Sequence, residues 1–195
     1  MKRFLSDNSK PIFKFFMTHL VMSILGLMVG LAIITFEGES TELSAIAVIG
    51  GLFTVGFMCF MHYDDMYFAG VKEGIRLRAE GEKLDIWKGL WISLVGYIPF
   101  LLVGIIAIIV SLFGNDSFVV AYNFLQGSFL PWYKIRLTLG DIPYILITLL
   151  PALVSGTLGY ALGLKDKTLR GLMGMKVKPP YDGPLERKPK DKNKN

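Results

Sequence analysis

Four long blocks of the chain contain no Asp, Glu, Lys or Arg: Phe15–Phe36, Leu43–Tyr63, Gly89–Asn115 and Ile142–Leu164. Each exceeds the roughly 20 apolar residues that an α-helix needs to cross a hydrocarbon core of about 30 Å. Lipid offers no water to pair a backbone amide, and a helix satisfies its own. A soluble bundle would carry charges at helical period along each helix, and these blocks have none. Only 19% of the residues are charged and 52% are hydrophobic, whereas ordinary soluble domains are about a quarter charged. The expected fold is an all-α integral membrane protein with four transmembrane helices, spanning about 15–36, 43–64, 89–113 and 142–164.

The cations are unevenly shared among the connections. Lys2, Arg3, Lys10 and Lys14 precede the first block, Lys72, Arg76, Arg78, Lys83 and Lys88 lie between the second and third, and ten more follow the fourth. The remaining connections hold only Lys134 and Arg136. Nineteen Lys and Arg against two predict, by the positive-inside rule, a multi-pass protein of the cell membrane with both termini cytoplasmic. Lys2 and Arg3 resemble the start of a signal peptide. The apolar stretch that follows is longer than the roughly 7–15 residues of a signal core, so it reads as a retained anchor.

This divides the chain into a basic N-terminus at 1–14, a helical domain at 15–174 and a tail at 175–195. The tail is rich in Pro, Lys and Asn and too poor in apolar groups to offset the entropy of ordering, so it is expected to be disordered. The segment from Ser117 to Tyr133 is apolar but holds Asn123, Gln126, Gly127, Ser128 and Pro131. It is expected to be an interfacial or re-entrant element at the outer face, anchored by Trp132 and Tyr133. The second span is expected to continue as a charged helix beyond the membrane and to turn near Ala79–Lys83.

Small residues recur at helix-packing spacing. Gly26 and Gly30 form a GxxxG pattern, and Ala152, Ser155, Gly156, Gly159 and Gly163 make two interleaved rows in the last span. Such rows let helix backbones approach closely where lipid removes the hydrophobic drive to associate. They serve packing within one bundle, or a face for a partner membrane protein or a second copy.

The stretch FMCFMHYDDMYF, Phe57–Phe68, concentrates the residues with chemistry. At 100° per residue Met58, Met61, His62, Asp65 and Met66 share one face, while Asp64 points elsewhere. His19 and His62 each fall about one turn inside the same membrane edge, which predicts His19, His62 and Asp65 at one depth with Met58 nearby. Thioether, imidazole and carboxylate ligands would suit copper or zinc, and a His beside Asp65 would titrate near neutrality. The plainer reading is a helix end passing into the interface, with Tyr63 and Tyr67 as anchors.

Pro99 and Pro151 interrupt the third and fourth spans and free the carbonyls of Val95 and Ile147, with Thr148 placed to help. Broken helices near mid-membrane are where transporters bind solutes; Asn123 and Gln126 would then sit at the outer mouth. No carboxylate, Lys or Arg lies within a span, where pumps and voltage sensors need them. No nucleotide, zinc-protease, nucleophile-elbow or dithiol pattern occurs, so no cofactor is expected and the chain reads as non-enzymatic. The region from Lys165 to Lys178 adjoins the bilayer and would attract anionic lipid headgroups; nothing points to nucleic acid. The leading expectation is an accessory subunit packing with partner membrane helices, and the alternative an oligomeric small-solute transporter or channel.

Overall fold

The structure, a computed structural model, describes residues 2–37, 44–114, 117–133 and 139–167. It is built of helices, with no strand among the described residues. In chain order these are α1 (Lys2–Asp7), α2 (Ser9–Glu37), α3 (Ala45–Glu80), α4 (Trp87–Ser111), α5 (Ser117–Leu125), a 3₁₀ helix over Gly127–Trp132, and α6 (Asp141–Leu164). Four stretches are long and apolar enough to cross a membrane: Ser9–Phe36, Ala45–Glu80, Trp87–Ser111 and Ile142–Leu164. The residues 38–43, Lys134 and Arg136, and the tail beyond 167 lie outside the described residues, as does most of the Lys165–Lys178 cluster.

The helices bury one side and leave the other greasy. Val21, Ile24, Met28, Phe53, Phe57, Ile105, Ile109, Leu146, Leu150 and Val154 are exposed, while Phe15, Met58, Met66, Tyr97, Phe100, Tyr144 and Ala152 form the core. An exposed apolar face repeated on all four long helices is the surface of a multi-pass membrane protein, whose solvent is lipid.

α3 outruns the apolar block by several turns. It is capped at its start by the Ser44 hydroxyl, which accepts from the Ala47 amide at 3.0 Å, and stops at Gly81. Gly81 has φ 70°, the left-handed conformation that ends helices and favours glycine. Arg78, near that end, donates to the Leu164 carbonyl at 2.9 Å and so satisfies a backbone group that the C-terminus of α6 leaves orphaned.

The most extensive packing is α3 against α6. A methyl group at Gly159 or Gly163 would overlap the backbone carbonyls of Tyr63 and Tyr67, and one at Gly70 or Gly74 would press on the backbone of Tyr160 and Leu164. Glycine on both helices therefore sets their separation. Gly156 meets Ser93 of α4 and Phe15 of α2. Ser155 is buried and returns its hydroxyl to the Ala152 carbonyl at 3.2 Å. Tyr67 is buried in this seam with Val71 and Leu162, which corrects the expectation that it anchors at the headgroups.

The segment after α4 enters the bundle and comes back. α5 runs inward along α4, where Tyr122 lies against Gly104, and the chain turns at Gln126. The 3₁₀ helix then returns between α2 and α3: Ser128 against Gly26, Leu130 against Gly30, and Trp132 against Gly51. Gly26 and Gly30 thus receive this hairpin, not another long helix. Trp132 is half-buried and packs against α3 at Gly51.

Candidate functional site

At the hairpin tip a file of polar side chains crosses the core. Gln126 is fully buried between α2 and α4. Its Oε1 lies 3.2 Å from His19 Nε2, and its Nε2 donates to the Tyr97 hydroxyl at 2.7 Å. His19 Nδ1 lies 3.1 Å from His62 Nε2. On the other side the Tyr97 hydroxyl is 3.4 Å from Thr148 Oγ1, and the Tyr122 hydroxyl is 2.8 Å from the same oxygen. His62, His19, Gln126, Tyr97 and Thr148 are each 0% exposed and Tyr122 is 3%, so the file is covered by protein along its length. It draws on α3, α2, the hairpin, α4 and α6 in turn.

The proton positions follow from Gln126. With its amide oxygen facing His19, His19 Nε2 carries the hydrogen and Nδ1 of the neutral ring is an acceptor. His62 Nε2 then donates to His19. Every hydrogen bond from His62 to Tyr97 points the same way, and the lone pair of His62 Nδ1 is left over. That atom is buried and has no hydrogen-bond partner among the described residues. Its ring stacks on Phe15 with centroids 4.1 Å apart, and His19 packs against Phe100 at 4.3 Å.

Asp65 lies one turn from His62 on α3 but turns away from the pair. It accepts a hydrogen bond from Thr18, the residue before His19, and forms an ion pair with Lys14 at 2.7 Å. Met58 is fully buried in the core. Both nitrogens of His19 are committed, one to His62 and one to Gln126. Among the described residues no group of three or more His, Cys, Asp or Glu is placed to hold a metal.

The residues considered for a transport cavity are found in different places. Pro99 lines an apolar groove with Leu5, Ile12, Phe13 and Phe16, on the flank between α2 and α4. Pro151 is half-buried and its carbonyl lies 3.7 Å from Cys59 Sγ. Thr148 donates to the Ile145 carbonyl at 2.9 Å, not to Ile147, the carbonyl freed by Pro151. Asn123 is half-buried on α5, and Gln126 lies at the hairpin tip against the histidines rather than at a mouth.

Sequence reasoning placed the two histidines at one depth but missed Tyr97, Tyr122 and Thr148 as their extended partners. A signal existed. The Gln126-Gly127-Ser128 turn pairs a buried amide with a glycine at which any side chain would strike the Ser23 backbone, and Gly26 faces it from α2. Ser128 donates to the Met22 carbonyl at 2.9 Å and Ser23 to the Leu125 carbonyl at 2.6 Å, so the two backbones are stitched together. Thr54 completes the fastening from α3 by donating to the Ser128 carbonyl at 2.6 Å.

No protein-family model, curated protein or solved structure matches this chain.

Proposed function

We propose that the protein is a small-solute transporter or channel in a closed state, with the α5–3₁₀ hairpin as its gate. The observation that carries this reading is the contact of His19 with both His62 and Gln126, an ionisable pair buried deep in the bundle at the hairpin tip. Ionisable groups at that depth are costly in lipid and mark solute or proton paths more often than scaffolding. Irregular backbone at membrane depth is tolerated where it is buried in protein or lines a conduit. The lone pair of His62 Nδ1 is the acceptor that the file leaves unsatisfied among the described residues. In the proposed orientation both termini are cytoplasmic in the cell membrane, with nineteen Lys and Arg on that side and two opposite. The hairpin then enters from outside.

The accessory-subunit reading is the second choice. It is favoured by the completeness of the packing: a polar file buried at every member can serve simply to fix the hairpin in place. Against it, the small-residue rows that would greet a partner helix are engaged internally, Gly26 and Gly30 by the hairpin and Gly159 and Gly163 by α3.

The test is purified protein in liposomes. Stopped-flow light scattering would follow entry of urea, glycerol, acetate and ammonium, with an internal dye reporting protons. Flux of at least one of these above that of empty vesicles, abolished by Gln126→Ala in protein that remains folded and monodisperse, is the expected result. Vesicles no leakier than empty ones to all five would overturn transport and leave the subunit reading.

A further inference from the structure

At the end of the bundle where α2 begins and α3 ends, a polar vestibule opens beneath α1. One lobe, about 540 Å³, is walled by α2 through Lys10 and Lys14, by α3 through Lys72 and Arg76, and by Tyr160 of α6. A second lobe of about 560 Å³ shares Asp7, Asn8, Glu73 and Arg76 with it and adds Lys88. Volumes in this range suit a small-molecule ligand.

The charges are arranged in a definite way. Lys10 and Lys14 are four residues apart on α2, and Lys72 and Arg76 four apart on α3, so each pair projects from one face of its helix. Glu73 accepts from Arg76 and from Lys88, each at 2.7 Å, and Asp65 pairs with Lys14 at 2.7 Å. Lys10 and Lys72 have no ion-pair partner among the described residues. Five cations against Asp7, Asp65 and Glu73 leave the vestibule net positive.

A second, independent feature lies in its wall. Tyr160 is 2% exposed, and its hydroxyl is buried with no hydrogen-bond partner among the described residues. Tyr160 lines the vestibule together with Glu73 and Arg76. A buried hydroxyl left without a partner is unfavourable unless something else supplies an acceptor.

We propose that this vestibule binds a phosphate-bearing anion, with Lys10 and Lys72 as its free cations, Lys14 and Arg76 as its paired ones, and the Tyr160 hydroxyl as a neutral donor. Phosphate fits because it offers several acceptor oxygens in different directions and more than one charge, so it can face two helices and a tyrosine together. Arg76 already faces Glu73 at 2.7 Å and Glu80 at 3.7 Å, so it contributes charge rather than a free fork, and the lysines act as point charges. The anion comes either from a lipid headgroup at the membrane surface or from a soluble phosphate. Binding here does not require that the bundle transport anything.

The experiment uses the full chain in nanodiscs of neutral phosphatidylcholine. Calorimetry with inorganic phosphate forms one arm, and retention of phosphatidylglycerol over phosphatidylcholine by native mass spectrometry the other. Tyr160→Phe, which removes only the hydroxyl, should weaken binding about tenfold, the equivalent of one hydrogen bond to a charged group. Lys10→Ala with Lys72→Ala, which breaks no ion pair, should weaken it at least as much and flatten its salt dependence. Saturable inorganic phosphate binding that both variants weaken assigns a soluble source. Selective phosphatidylglycerol retention that both variants weaken, without phosphate binding, assigns a headgroup. No saturable binding in either arm, or binding that neither variant alters, would overturn the site.

Discussion

His19 Nδ1 and His62 Nε2 lie 3.1 Å apart, on helices whose positions in the chain are 43 residues removed. Two imidazolium rings could not sit this way, because both facing nitrogens would then be donors. The contact thus requires at least one neutral ring and a definite proton arrangement. His19 is the shared member, since it also meets Gln126. Replacing it strands a nitrogen on His62 and an oxygen on Gln126, both buried, whereas replacing His62 strands one atom of His19.

His19→Ala should therefore be the costlier substitution, about 2 kcal/mol of unfolding free energy, with His62→Ala near half of that. Denaturant titration in detergent micelles measures both. A double-mutant cycle between His19 and Gln126 should give a coupling well above its error. Equal costs for the two histidines, or no coupling, would show that the file is not fastened at His19.

Close approach of α3 and α6 yields a second expectation. Alanine at Gly159 or Gly163 would put a methyl into the carbonyls of Tyr63 and Tyr67, and backbone cannot swing aside as a flexible side chain can. The helices must part, at about 1–3 kcal/mol for each overpacked site. Gly56 lies on the same α3 with nothing within 4 Å of the added methyl. Gly56→Ala should thus leave the melting temperature unchanged or raise it, since alanine is the better helix former. Thermal scans of the three variants in one detergent decide the matter.

Why was the outline legible and the site only partly so? Charge-free length is set by the bilayer, an environment that acts on composition, so the four long helices could be read from Phe15–Phe36 and its counterparts. Equal depth of His19 and His62 followed from antiparallel neighbours and a rise fixed per residue. How far the Ser117–Tyr133 segment penetrates is governed by steric fit, and hydropathy is blind to that. Gln126 reaches the histidines because Gly26 and Gly127 have no side chain to hold the backbones apart. Tyr97, Tyr122 and Thr148 look like ordinary membrane-helix residues until the hairpin brings an amide among them.

Orientation can be read directly in cells. In a chain with Cys59 replaced by Ser, a cysteine at Ser6 should stay unlabelled by a membrane-impermeant maleimide on intact cells and react after permeabilisation. A cysteine at Phe113, which is 84% exposed at the opposite end of the bundle, should react at once. The reverse pattern would place the cationic end outside, against the positive-inside rule.

Asp65 and Lys14 provide the last expectation. Their ion pair has one well-solvated partner, Lys14 at 58% side-chain exposure, and one largely covered, Asp65 at 10%. Lys14→Ala should cost no more than about 0.5 kcal/mol and should matter less as salt is added, as for other surface pairs. Asp65→Ala also removes the acceptor of Thr18 and should cost about 1 kcal/mol or more, with a part that salt does not erase. Thr18 is bonded to α3 at the residue next to His19, so losing Asp65 loosens the register that brings the two histidines together. The stability cost of His19→Ala should accordingly shrink when Asp65 is already Ala. If the two costs simply add, Asp65 is a surface charge and plays no part in positioning the pair.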